Sequence, residues 1–262
     1  AVFFMISIEC HARACRASVR SSRPWTRNIM FMILCVFSSC LALLSKEIGV
    51  TSLGVCFAYD LLAHLEIRAN GVSLQIFRQD DVKRTIFRLL TLCIAAACII
   101  FTRLQFLGGF VPHFSEPDNP GAYNPSSLTR VLTLNYYNFR NLWVMIYPKV
   151  LCCDWAMGSI PVVESWSDSR NIGTLLMYLV LMFSVIHSAF SRSQTSRSVL
   201  IGLVMLIVPY IPSTNLFVVV GFVTAERTLY GDVSMVFEVF YSLFLSTHSY
   251  PRTILSHSNV GT

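Results

Sequence analysis

Apolar runs close to the length of a bilayer crossing follow one another along this chain, with short basic blocks between them. A spanning helix needs about 20 mainly apolar residues. Five stretches meet or approach that length: residues 29–44, 48–65, 87–107, 172–190 and 199–211. A sixth, 233–245, is short and contains Glu238. The first eight residues are also apolar and read as the end of a further hydrophobic segment rather than a signal peptide. Only 13% of the 262 residues are charged and 54% are hydrophobic, whereas a soluble domain carries about 25% charged residues. The surface of a soluble domain needs those charges and lipid does not, so composition alone selects the membrane class.

The charges that remain set an orientation. Arg13, Arg16, Arg20, Arg23 and Arg27 form one block without an acid. Arg68, Arg78, Lys83, Arg84 and Arg88 form a second, and Arg192 and Arg197 a third. Basic loops face the cytoplasm, and the three blocks fall on one side when the five runs alternate. Three segments then face the lumen: the tight turn at Lys46 and Glu47, the long stretch 108–170, and a segment from Pro212 past Arg227. The long stretch is balanced in charge and holds six prolines, from Pro112 to Pro161, so an irregular loop is expected. Its Tyr136, Tyr137, Trp143 and Tyr147 suit a segment at headgroup level. The net charge of +6 therefore reports membrane orientation and not a nucleic-acid partner. Cys35, Cys40, Cys56, Cys93 and Cys98 lie in apolar runs and act as small hydrophobes, which argues against a disulfide scaffold.

No soluble-enzyme motif appears: there is no P-loop, no HExxH, no GxSxG and no paired CxxC, and the histidines are scattered. Three polar groups carry the candidate chemistry. Lys46 and Glu47 are either a solvated turn whose charges neutralise each other or a phosphate-facing pair at a cavity rim. Asp154 and Trp155 are either a turn-capping carboxylate and its neighbour or a polar group beside a sugar-stacking ring. Glu226 and Arg227 are either a helix-end ion pair or a phosphate fork, with Tyr230 one turn away. Asp60 is the only acid well inside a run, so a proton relay through the spans is not expected.

Three blocks carry a resemblance. SKEIGVTSLGVCFAYDLL from Ser45, the segment NPSSLTRVLTLNYYNFRNLWVMIYPKVLCCDWAMGSIPVVESWSDSRNIGT from Asn124, and PSTNLFVVVGFVTAERTLY from Pro212 stand in family order. Together they resemble the central membrane and DUF1736 region of the transmembrane and tetratricopeptide-repeat-containing (TMTC) proteins. The resemblance implies an all-α, polytopic helical bundle of the endoplasmic-reticulum membrane, part of a GT-C-like domain. It divides the chain into spans and basic loops over 1–107, a lumenal loop over 108–171, spans with the Ala225-Glu226-Arg227 motif over 172–245, and a divergent tail over 246–262.

The implied activity is mannose transfer from dolichyl-phosphate-mannose to Ser or Thr of secretory-pathway proteins such as cadherins. The implied partners are membrane lipid, the dolichol-linked sugar and a protein acceptor. The implied donor-side residues are Lys46, Glu47, Glu226, Arg227 and Tyr230, with Asp154 and Trp155 near the sugar. The participation of a divalent metal is left open. The family's catalytic acid is expected on a loop upstream of Ala1, and Gly231-Asp232 departs from the family's Pro-Ser. The chain is thus expected to be a piece of a longer protein and inactive alone. A non-catalytic membrane adaptor is the competing reading; a transporter finds support only in Asp60.

Overall fold

The computed structural model describes residues 1–20, 24–69, 79–106, 114–149, 152, 155, 158–190, 194–215, 219–221 and 223. Among these the secondary structure is helical. Seven helices run in chain order: α1 (Val2–Arg20), α2 (Pro24–Ser45), α3 (Thr51–Ala69), α4 (Gln79–Phe106), α5 (Ser127–Ile146), α6 (Arg170–Phe190) and α7 (Gln194–Tyr210). Short 3-10 turns, Glu47–Val50 and Ile211–Ser213, link α2 to α3 and follow α7.

Among the described residues, three helices are long and apolar enough to cross a membrane: Trp25–Ser45 within α2, Val82–Phe106 within α4, and Arg170–Phe190, which is α6. Their mean hydropathies are 2.1, 2.2 and 1.9. Large apolar side chains on α4 (Ile94, Phe101) and α6 (Ile172, Leu175, Phe183) point away from the protein. An exposed apolar surface of that kind is stable only against lipid. The expected runs at 29–44, 87–107 and 172–190 coincide with these helices. The run at 48–65 is helical in α3 but falls outside this set, and 199–213 is a shorter apolar helix. Residues 233–245 lie outside the described residues.

Helices α1 to α4 form one bundle. Small residues let α1 and α2 approach closely, since nothing bulky holds the backbones apart. Ser7 on α1 meets Ser39 on α2 (2.7 Å), and Ser39 meets Ser52 on α3 (2.9 Å). Around them pack Ala14, Met32, Cys35, Leu53, Cys56 and Leu92, two of which are fully inaccessible cysteines. The turn after α2 is equally tight. A Cβ on Gly49 would lie 2.2 Å from the backbone of Ala42, so only glycine fits. Helix α7 then joins the bundle through Ile201 and Met205, which pack on Phe4, Ala42 and Val55.

Three sequence expectations are corrected here. Residues from His11 to Arg20 are not a connecting loop but the second half of α1. Arg84 and Arg88 are not loop residues either; they sit on α4, each 5% exposed, because the helix begins at Gln79 and turns that face inward. The stretch 108–170 is not irregular throughout, since α5 runs for 20 residues inside it. Its prolines flank that helix and leave its interior proline-free, so the backbone ladder is unbroken.

Candidate functional site

Helix α5 is the centre of the site. Ser126 caps it by accepting a hydrogen bond from the Thr129 amide at 3.3 Å, which satisfies one of the free donors of the first turn. Thr129, Leu132, Thr133, Tyr137, Asn141 and Val144 are its buried residues. Their spacing of three and four places them on one stripe of the helix. A second stripe carries an aromatic ladder: Tyr136, Phe139, Trp143 and Tyr147 follow at ring separations of 6.1, 6.1 and 6.0 Å.

Two loops close over the buried stripe. The Val163 amide donates to Thr133 Oγ1 at 2.8 Å. Arg170, the first residue of α6, donates to Pro161 O (2.6 Å), Val162 O (2.9 Å) and the Asp168 carboxylate (2.6 Å). Its guanidinium also lies 5.3 Å from the centre of the Tyr136 ring. The Arg170 fork holds the Asp168 carboxyl down at about 2. Burial pushes the Tyr137 phenol up to about 12. Hydrogen bonds from Ser115 hold the Asp118 carboxyl below its ordinary value.

The segment after α7 is tied in by two asparagines. Asn119 is fully buried and donates to Asn215 Oδ1 and Val220 O, both at 3.0 Å. Asn215 adopts φ 59, the left-handed region that asparagine tolerates. From there its Oδ1 also accepts from the Val220 amide (2.9 Å). Val223 then donates to Trp155 O (2.9 Å) and packs with Tyr137 and Ile160. These contacts place Trp155 beside α5, with the Arg140 guanidinium 5.9 Å from its ring centre.

Between α5, α6 and α7 lies a cavity of about 490 Å³. Met145, Met177, Leu181, Val185, Leu206 and Ile207 supply much of its wall. Several lining side chains, Met182 and Ile186 among them, are also exposed on the apolar outer face, so the cavity opens on that face. Asn138, Asn141, Tyr210 and Thr214 also border it, but its surface is almost entirely apolar. Tyr210 Oη accepts from Asn141 Nδ2 (2.5 Å) and donates to Asn138 Oδ1 (2.9 Å). Asn141 Oδ1 is buried without a hydrogen-bond partner.

The sequence candidates fare unequally. Trp155 is part of this assembly. Glu47, one of the two charges read either as a self-neutralising turn or as a phosphate-facing pair, forms an ion pair with Arg103 of α4. Lys46 is exposed at the end of α2. Asp154, Glu226, Arg227 and Tyr230 lie outside the described residues. Sequence reasoning missed Arg140, Asn141, Arg170 and Tyr210. The three-and-four spacing of polar and aromatic residues after Ser126 was the signal available for α5.

Residues 108–182 match the family model described as protein O-mannosyl-transferase TMTC, DUF1736. The chain is 34% identical to protein O-mannosyl-transferase TMTC3 of Mus musculus, over 87% of its own length and 25% of that protein. It is 31% identical to TMTC4 of the same species, over 88% and 32%. Against TMTC1 of Mus musculus it is 46% identical over 50% of the chain and 14% of the relative. The chain thus spans about a quarter to a third of the length of the first two relatives. No solved structure matches it.

Proposed function

The chain belongs to the TMTC family of protein O-mannosyl-transferases, and on that premise we propose that it forms the lipid-donor side of a mannosyltransferase in the endoplasmic-reticulum membrane. The donor is dolichyl-phosphate-mannose and the acceptor is a Ser or Thr hydroxyl of a secretory-pathway protein, cadherin-like proteins included. The observation that carries this reading is the cavity between α5, α6 and α7. It is almost wholly apolar and opens on the apolar outer face, with the Asn138–Asn141–Tyr210 hydrogen bonds turned into the protein behind its wall. A polyprenyl chain needs such an apolar channel.

The chemistry is a displacement. The acceptor oxygen attacks C1 of the mannose, the bond from C1 to the phosphate oxygen breaks, and dolichyl phosphate leaves with that electron pair. A carboxylate takes the hydroxyl proton, and cations stabilise the charge on the departing phosphate. Arg140, beside Trp155 on the α5 face, supplies such a cation in this chain, with Arg227 and Lys46 as further candidates and Glu47, Asp154, Glu226 and Tyr230 as polar neighbours. Trp155 offers the ring on which a sugar face stacks.

The test is mannose transfer by a full-length version of the protein to an acceptor peptide, with the lipid donor varied. Leu181→Trp, which fills the cavity, should raise KM for the lipid donor at least tenfold while leaving KM for the peptide unchanged. Arg140→Ala and Arg227→Ala should each lower kcat/KM for the donor by about 10²-fold, the scale of a lost charge-assisted contact in a transition state. Unchanged donor kinetics in Leu181→Trp would remove the cavity from the reading.

A further inference from the structure

A second polar cluster lies far along the chain from α5, inside the α1–α4 bundle. His11 on α1 is 1% exposed and Asp60 on α3 is 2% exposed. His11 Nε2 stands 3.4 Å from Asp60 Oδ2. Arg88 on α4 holds the same carboxylate with two bonds, Nε to Oδ2 at 2.8 Å and a terminal nitrogen to Oδ1 at 2.7 Å. In the neutral ring a proton on Nε2 faces Asp60, which leaves the Nδ1 lone pair for a ligand. That Nδ1 is buried and has no hydrogen-bond partner. An orphaned acceptor at this depth costs free energy unless something fills it.

Two thiols stand beside the ring. A His11 ring nitrogen, Cys35 Sγ on α2 and Cys56 Sγ on α3 all lie within 4.8 Å of one another. The two sulfurs are 4.0 Å apart, and both cysteines are fully inaccessible. We propose that His11, Cys35 and Cys56 form a buried site for Zn²⁺ that clamps α1, α2 and α3 together.

Three features support this choice. Two thiolates about 2.3 Å from a tetrahedral zinc would sit roughly 3.8 Å apart, close to the separation found. The Asp60–His11 contact reproduces the arrangement in which a carboxylate orients a metal-bound histidine through its other nitrogen. Charge also balances: Zn²⁺ displaces the two thiol protons, and the ion, two thiolates and a neutral imidazole sum to zero. Net charge deep in an apolar bundle is what the interior penalises most. Ser7 Oγ also lies close to Cys35 Sγ, at 3.4 Å. The other face of His11 has Cys15 and Asp60 within the same reach. There the Arg88 guanidinium already occupies the carboxylate, so a second cation is disfavoured.

The full chain, purified in detergent under reducing conditions, is equilibrated with Zn²⁺ alone against a competing chelator. One equivalent per chain is expected. Cys35→Ser and Cys56→Ser should each weaken binding at least tenfold, whereas Cys93→Ser and Cys98→Ser, at exposed positions on α4, should leave it unchanged. Co²⁺ in place of Zn²⁺ should show the charge-transfer absorption of a two-thiolate tetrahedral centre. Unfolding of the variants is bypassed by a measurement on the unsubstituted chain, in which Zn²⁺ should slow alkylation of Cys35 and Cys56 but not of Cys93 and Cys98. Absence of bound zinc, equal binding by the Cys35→Ser/Cys56→Ser double variant, or alkylation rates indifferent to Zn²⁺ would each overturn the site.

Discussion

Replacing Asp60 by Asn tests the logic of the α1–α4 bundle directly. The side chain keeps its shape, so no cavity forms, but its charge is lost. Arg88, with 6% of its side chain exposed, then loses the carboxylate that accepts two of its hydrogen bonds. Removing one partner of a buried pair costs about 3–5 kcal/mol, more than the pair itself contributes, because the remaining charge has already given up its water. For a chain of this size each kcal/mol moves Tm by about 2–4 °C, so a fall on the order of 10 °C is expected in a thermal melt in detergent. Asp60→Asn/Arg88→Met removes both charges and should recover most of the loss. A single variant that melts within about 2 °C of the parent, or a double variant no more stable than the single, would refute the claim that charge compensation holds these helices.

Other outcomes follow from the α5 region. Tyr210→Phe leaves the Asn138 and Asn141 amides short of a partner and should cost about 1–3 kcal/mol, read as a lower melting temperature with α7 loosened from α5. Arg170→Lys cannot reproduce a fork that reaches two carbonyls and a carboxylate, so proteolysis within residues 158–168 should accelerate. Because Asp168 is held at about 2 against an ordinary 3.8, its contribution is complete above 3.8 and disappears as pH falls through about 2; the Arg170→Lys variant should lose this acid-range dependence. Tyr137 behaves in the opposite sense: its raised pKa of about 12 against 10.0 means stability is kept below 10.0 and lost as pH rises toward 12. Tyr137→Phe should remove a phenolate that appears late in an alkaline titration. Gly221→Ala should displace the Phe114 ring, which stands 2.2 Å from the position the new Cβ would take, and proteolysis of the 219–223 segment should report it.

Much of the membrane architecture was legible because lipid asks for only one thing. Runs such as 172–190 need apolar residues all round, and no tertiary contact has to be known to recognise them. Helix α5 was harder. Its polar Asn135, Asn138 and Asn141 and its flanking prolines read as loop, yet its buried stripe and its Ser126 cap are ordinary helix features. Trp155 was identified from its neighbourhood, but its partners Arg140 and Val223 are distant in sequence and only folding joins them. The His11–Asp60–Arg88 cluster was invisible for the same reason. Asp60 stood out as the only acid well inside a run, but nothing in its segment named a partner, and Arg88 was counted among basic loop residues. Helical register turned it inward, and that register depends on where α4 begins.

The Asp60–Arg88 pair also bears on how the chain reaches its membrane. Helices leave the ribosome in order, so α3 emerges while α4 is still being made. An aspartate at the centre of a lone helix opposes insertion by about 2.5–3.5 kcal/mol, and α3 has no great surplus of hydrophobicity to offset it, being absent from the set of helices apolar enough to cross alone. Its partner arrives 28 residues later. Insertion of α3 is therefore expected to depend on α4: the α3–α4 hairpin should enter as a unit once Arg88 has left the ribosome, and a chain released before Arg88 should leave α3 at the membrane surface.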